Sequence, residues 1–275
     1  MPDPLIHDLR GRVALVCLET RHLGLAMSAI RRCTANFQFD EILLFTDQDW
    51  AVDGVTLVRC EPIRSAEEYS AFMLGDFHQH IRVPHFLVVQ WDGFVIHPEK
   101  WDDGFLAWDY IGAPWPHRDY AVGNGGFSLR SVRLHQAVSK LPQPQCHPED
   151  SFICLWNRPA LEAQGMRFAP LSVAREFSAE TDGYEYRPLG FHRFGNFNEA
   201  YDEAGLLAFL RAAPDDIVHS TEGRVLLKQS LMLGRRAVAR ELVTRRLAGP
   251  LRLRIDTLWT ALRYGLRSAL NRKSR

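Results

Sequence analysis

The chain has 275 residues, of which 46% are hydrophobic and 24% charged. That composition excludes disordered and collagen-like proteins and leaves one large α/β domain with an appendage, or two small domains. Thirty-three basic and thirty-three acidic side chains cancel, but from Gly223 onward fourteen Lys/Arg face only Glu241 and Asp256, so an acidic body is followed by a basic tail that meets an anionic partner or docks on the body.

Five cysteines are scattered without a CxxC pair, which predicts reduced thiols. The apolar run Val13–Leu18 is too short for the core of a secretory signal, and no stretch is long and apolar enough for a membrane span. Together these features predict a cytoplasmic protein.

In chain order, Arg12–Leu18 predicts a strand buried on both faces, and a helix follows from about His22 to Arg32. Glu41–Thr46 and Val55–Arg59 predict two further strands. Ser65–Ile81 reads as a helix with Ser65 as its N-cap and Glu67 and Glu68 in its first turn. His85–Gln90 is a fourth buried strand. Strands alternating with helices at this spacing imply a mostly parallel, Rossmann-like sheet. Ligands of such sheets bind beyond the carboxyl ends of the strands, which directs attention to Glu19-Thr20-Arg21, Thr46-Asp47 and Gln90-Trp91-Asp92-Gly93.

Four of the seven tryptophans fall between Trp91 and Trp115; such rings either stack on sugar faces or pack in a core. Tyr110–Ala113 predicts a short strand. Gly123-Asn124-Gly125-Gly126 leads into Phe127–Arg130, with a helix from about Val132 to Lys140. Pro148-Glu149-Asp150 opens a helix to about Gln164. Arg167–Pro170 and Val173–Phe177 read as extended, 183–198 as a Gly- and aromatic-rich loop, and the body ends near residue 200. Residues 201–275 form a basic helical extension. In its last part Leu251, Ile255, Leu258, Trp259, Leu262, Leu266, Ala269 and Leu270 recur at helical spacing, with Arg252, Arg263 and Arg267 off that stripe.

Each motif has two readings. Asp92, a carboxylate directly after a buried strand, either holds a divalent cation against a diphosphate or closes a simple turn. The 123–126 glycine loop lets backbone approach a ligand, or is merely tight. Glu149 and Asp150 favour a helix start, and a carboxylate on a rigid helix end also suits proton transfer from a hydroxyl. His192 is either a packing residue or a metal ligand.

The stretch Val88–Phe94, then Tyr110–Trp115, Val122–Ser131 (VGNGGFSLRS) and Pro148-Glu149-Asp150 resembles a bacterial family regarded as GT-A-like. The similarity spans about residues 10–200, and the GNGGFSLRS block with the following PED is its most specific part. The resemblance implies a GT-A-like, Rossmann-type mixed sheet flanked by helices, acting as a glycosyltransferase. By position it implies that Asp92 stands for the second acid of a DxD motif and Gly125 and Gly126 for the glycine loop. Glu149-Asp150 stands for the xED motif and His192 for the late metal-binding histidine. The first DxD position is Gln90, which weakens the implied Mn²⁺ or Mg²⁺ site.

The expected reaction is therefore sugar transfer from a nucleotide-sugar donor, with uridine the common base of this fold, to a glycan or glycolipid acceptor. Asp150 is the expected base, with Glu149 or Arg130 in support. Asp92 and His192 are the expected metal ligands. Thr20, Arg21, Asp47, Gln90, Trp91, Trp115, Asn124, Gly125, Gly126 and Arg130 are the expected donor and acceptor contacts. A sugar- or nucleotide-binding module without transferase activity is the alternative that Gln90 favours. The tail lacks zinc-site or helix-turn-helix spacing, which argues against nucleic acid. Residues 251–270 predict peripheral contact with the inner membrane or, equally, a stripe folded back on the body.

Overall fold

The computed structural model describes residues 6–50, 52–116, 122–143, 145–181 and 186–273, and from 266 onward the backbone alone. The chain divides into two compact units, Met1–His192 and Arg193–Arg275.

The first unit begins with β1 (His7–Asp8), β2 (Val13–Leu18), α1 (Leu23–Thr34), β3 (Phe37–Gln38), β4 (Ile42–Thr46), β5 (Thr56–Arg59) and α2 (Ala66–Leu74). It continues through β6 (His85–Val89), β7 (Gly93–Val95), β8 (Tyr110–Ile111), β9 (Ser128–Ser131) and α3 (Val132–Val138). It closes with α4 (Glu149–Ser151), α5 (Arg158–Ala163), α6 (Leu171–Phe177), β10 (Ser178–Ala179) and β11 (Gly190–His192).

The main sheet has six strands in the order β5-β4-β2-β6-β9-β8. Its β5, β4, β2 and β6 strands run parallel, whereas β9 is antiparallel to both β6 and β8. All six residues of β2 are buried, as a central strand covered on both faces requires. Leu18 pairs with Phe45 and Cys17 with Val89, so β2, β4 and β6 end level. Side chains that follow them emerge along one edge. The sheet is thus mixed and flanked by helices, with a helical C-terminal region, as the sequence implies.

Local signals decide several boundaries. The Ser65 hydroxyl accepts from the Glu68 amide at 3.1 Å and caps α2, supplying one of the acceptors that a helix start lacks. α2 ends at Leu74, and after Gly75 the chain tightens into a 3₁₀ turn over Asp76–His80, so the single helix expected to Ile81 is two pieces. The helix expected from Pro148 to Gln164 is also divided: α4 passes into a π-turn, Phe152–Trp156, before α5 restarts with Pro159 near its amino end. A proline there has no amide to continue the ladder.

Two more expectations are corrected. Val173–Phe177 is helical, within α6, where Ala174 and Phe177 are buried three residues apart. Strand alternation would have buried Arg175 along with Val173 and Phe177. The segment 183–198 is not all loop: Gly190–His192 is β11, pairing antiparallel with β7, and Phe197–Ala200 is helical. Three residues of strand carry too little local pattern to be recognised, because distant pairing creates them. Residues 183–185 of that segment lie outside the described residues.

The second unit contains α7 (Phe197–Ala200), α8 (Glu203–Ala212), α9 (Asp215–His219), α10 (Thr221–Leu233), α11 (Arg236–Leu247) and α12 (Leu251–Lys273). Leu206, Leu210, Val218, Leu226, Leu227 and Leu242 form its buried interior. No helix among the described residues is long and apolar enough to cross a membrane. The five cysteines are free.

Candidate functional site

The β6–β7 connection is a hairpin closed by Gln90 and Gly93, which exchange backbone hydrogen bonds of 3.0 Å in both directions. Trp91 and Asp92 occupy its tip, at the carboxyl end of the sheet. Asp92 therefore does close a turn, and the same turn holds its carboxylate beyond the strand end.

The second sheet brings in the rest. β11 pairs with β7 so that His192 stands opposite Gly93, and β10 runs beside β11 with Ala179 opposite Phe191. The residues next in register, Glu180 and His192, are consequently neighbours. His192 Nδ1 lies 3.3 Å from Glu180 Oε1, and Nε2 lies 3.0 Å from Gln90 Oε1 and 3.6 Å from Asp92 Oδ1. Burial opposes a charged imidazole, but the Asp92 and Glu180 carboxylates overcome it and raise His192 to about 10. Glu180 carries no local signal in the sequence, and only the strand pairing reveals it.

The glycine loop is the floor against which these groups pack. A Cβ on Gly126 would lie 2.2 Å from His192 Nε2, and one on Gly125 would lie 2.1 Å from Glu149 Oε1. Neither position has room for a side chain. Asn124 turns the loop with φ of 62°, a conformation Asn tolerates better than most residues. Its Oδ1 accepts from the Gly126 amide at 3.1 Å.

Below the loop, Arg130 is fully buried. Its guanidinium donates to Glu149 Oε1 at 2.6 Å, to the Gly125 carbonyl at 3.2 Å and to Ser128 Oγ at 2.9 Å, while Nη1 is buried with no partner. Glu149 is also buried, and the Glu149 amide donates to Ser70 Oγ at 3.2 Å. Asp150, the adjacent acid, is pushed up to about 7, first by burial and then by the charge of Glu149. The two acids of one helix start thus differ: one is locked to an arginine, and the other is held well above the usual carboxylate range.

A cavity of about 300 Å³ opens beside this cluster, lined by Thr20, Arg21, Arg64, Tyr69, Gln90 and Trp91 among others. Thr20 is tied to its wall, accepting from the Ile63 amide at 3.0 Å. Asp47 follows β4 and keeps a buried Oδ1 without a hydrogen-bond partner. Trp115 lies elsewhere: it is buried with Tyr110, Leu134 and Phe152, its ring filling the space a Gly123 side chain would need. Trp101 and Trp108 line a larger cavity of about 990 Å³ that also includes Arg12, at the opposite, amino end of β2. The four clustered tryptophans therefore serve three different places.

Among the described residues no three His, Cys, Asp or Glu side chains converge as a metal-ligand group. What the site offers a cation is Asp92 and His192, with the Gln90 carbonyl beside them.

These features define an α/β protein with a mixed six-stranded sheet and a carboxylate–histidine cluster at the carboxyl ends of its strands. Residues 54–192 match the family described as "Protein of unknown function (DUF5672)", and the chain belongs to that family. No curated protein matches the sequence. Among solved structures, the chain is similar to a glycosyltransferase involved in the glycosylation of the major capsid of PBCV-1. The two share 12% identity with a TM-score of 0.44, covering 67% of this chain and 94% of that one.

Proposed function

We propose that the protein is a glycosyltransferase that moves a sugar from a nucleotide-sugar donor, a UDP-sugar in the first instance, to an acceptor hydroxyl of a glycan or glycolipid. The observation that carries this reading is the packing of His192 on Gly126 and of Glu149 on Gly125. It gathers a strand-end acid, a histidine and a helix-borne acid pair around one glycine loop.

In this reading the donor lies over the carboxyl ends of β2, β4 and β6. Its nucleoside enters the cavity between Thr20, Arg21 and Trp91, and Asp47 contacts the base or ribose. Asn124, Gly125 and Gly126 border the transferred sugar. Asp92 and His192 would hold a divalent cation, Mn²⁺ or Mg²⁺. When bound there, such an ion would supply positive charge against the departing diphosphate. Asp150 takes the acceptor's proton, and its midpoint near neutrality suits a general base. Glu149, held by Arg130, fixes the helix start that carries Asp150. Attack from the face opposite the leaving group inverts the anomeric centre. Peripheral membrane contact by residues 251–270 belongs with a glycolipid acceptor.

A second reading, a sugar- or nucleotide-binding module without transferase activity, is favoured by Gln90 in place of an acid and by the two-residue His/Asp donor set. Calorimetric titration of UDP with and without Mn²⁺, on wild type and Asp92→Asn, tests both. Cation-dependent binding lost in the variant, followed by donor turnover, supports transfer. Cation-independent binding with no turnover of any donor supports the module, and absence of binding to UDP, GDP, CMP and dTDP overturns both.

A further inference from the structure

The helix α12 is amphipathic in an inverted sense. Its inward face carries polar groups: Thr257 and Thr260 are buried beside the partly buried Leu253 and Tyr264, and Asp256 Oδ2 accepts from Arg246 Nη2 at 3.1 Å. Arg246 is itself buried, donating also to the Val218 and Ser220 carbonyls at 2.7 and 2.8 Å and to Thr257 Oγ1 at 3.3 Å. A buried guanidinium demands a carboxylate and hydroxyl acceptors, and α12 turns its polar side inward to supply them.

The apolar stripe is therefore presented outward. Leu251, Ile255, Leu258, Trp259 and Leu262 are 69%, 60%, 57%, 62% and 58% exposed. At about 100° per residue these five side chains fall within about 100° of arc, roughly opposite Thr257 and Thr260. Arg252 and Arg263 flank the stripe on one side and Arg254 on the other, all exposed. Five large apolar groups in a row are more than scattered surface hydrophobics explain.

We infer that α12 lies in the plane of an anionic bilayer surface, with Leu251, Ile255, Leu258, Trp259 and Leu262 inserted among the acyl chains and Arg252, Arg254 and Arg263 at the headgroup phosphates. Charge selects this occupant. The tail carries fourteen basic side chains against two acidic ones, so a second copy docked stripe to stripe would bring like charges together, whereas anionic lipid complements them. The geometry is that of an interfacial helix, with an apolar strip bordered by arginines and an indole that has one polar edge. This deepens the membrane contact named above but does not depend on sugar transfer.

The test is co-sedimentation of the full chain with vesicles of phosphatidylcholine alone and of equimolar phosphatidylcholine and phosphatidylglycerol, with light scattering in the absence of lipid. The expected result is salt-sensitive binding to the mixed vesicles only. Leu258→Asp/Trp259→Asp should weaken it by about tenfold or more, because two inserted side chains are lost. Arg252→Glu/Arg254→Glu should weaken it by at least about tenfold and flatten its salt dependence. All four positions are exposed, and unchanged thermal unfolding midpoints check that both variants fold. The inference is overturned if the wild type does not sediment, if neutral vesicles bind equally well, or if both variants bind like wild type. It is equally overturned if the chain is a dimer that Leu258→Asp/Trp259→Asp dissociates. Neither assay reads sugar transfer, so failure here leaves the transferase reading standing, and the reverse also holds.

Discussion

The imidazole of His192 occupies the space that a side chain on Gly126 would need: a Cβ there would stand 2.2 Å from Nε2 and 2.3 Å from Cδ2. Two segments far apart in the chain are thus fitted to each other at the atom level. Gly126→Ala must push the ring, or the loop, out of place. Overpacking of this kind costs about 1–3 kcal/mol, so a lowered unfolding midpoint is expected. Cation-dependent UDP binding should fall more than that destabilisation explains, because the displaced ring is a proposed ligand. Wild-type binding by a stable Gly126→Ala protein would remove His192 from the site.

The Arg130–Glu149 pair is buried on both sides. Removing one partner strands the other's charge, which costs about 3–5 kcal/mol. Arg130→Met should therefore be strongly destabilised in urea, and Arg130→Met/Glu149→Leu should recover much of the loss. A double variant no more stable than the single one would show that the pair's other contacts, to Ser128 and the Gly125 carbonyl, dominate.

Asp150 should make stability, and activity in the proposed reaction, depend on pH. Its folded value is about 7, above the value of about 3.9 for an unfolded aspartate. Between those values the folded chain keeps a proton that the unfolded chain has released. Stability therefore falls as pH rises through that window and remains lower above it. Asp150→Asn should be more stable than wild type at pH about 8 and should flatten that part of the pH–stability curve. Transfer by the wild type should rise with pH through the same midpoint. The variant should bind donor normally and lose about 10²–10⁴-fold in rate, the usual contribution of a general base. Undiminished transfer by Asp150→Asn would exclude it as the base.

Glu180 faces Nδ1 of His192 while Nε2 faces Gln90 and Asp92. A carboxylate behind a ligand histidine fixes its ring orientation. Glu180→Gln should weaken Mn²⁺ affinity by about tenfold, the low end for such supporting residues. UDP binding without metal should be unchanged. Titration of Mn²⁺ by its paramagnetic signal reads this directly, and equal affinities would reduce Glu180 to a packing role.

Removal of divalent ions by a chelator gives the complementary measurement. Cation-dependent donor binding should disappear and return with Mn²⁺ or Mg²⁺, while the unfolding midpoint without donor changes little, because the fold has its own core apart from Asp92 and His192.

The amino-acid sequence by itself determined the elements whose signals are local. Continuous apolar runs specify β2, β4 and β6, because central parallel strands are buried on both faces. Ser65 with Glu68 specifies the start of α2, and the strand-end positions of Gln90, Trp91 and Asp92 follow from where β6 stops. The glycine loop and the Glu149-Asp150 helix start were equally legible, since backbone conformation and helix dipoles act over a few residues. Tertiary structure decided everything that depends on which distant segments meet. The three-residue β11 exists only through its pairings with β7 and β10: the first sets His192 beside Asp92, and the second sets Glu180 beside His192. The spacing of Gly125 and Gly126 says that backbone must come close to something, and only the fold identifies Glu149 and His192 as what comes close. Helical periodicity located the apolar stripe of α12, but which way it points was settled elsewhere. The buried charge of Arg246 required polar partners, and satisfying it turned Leu258 and Trp259 toward solvent.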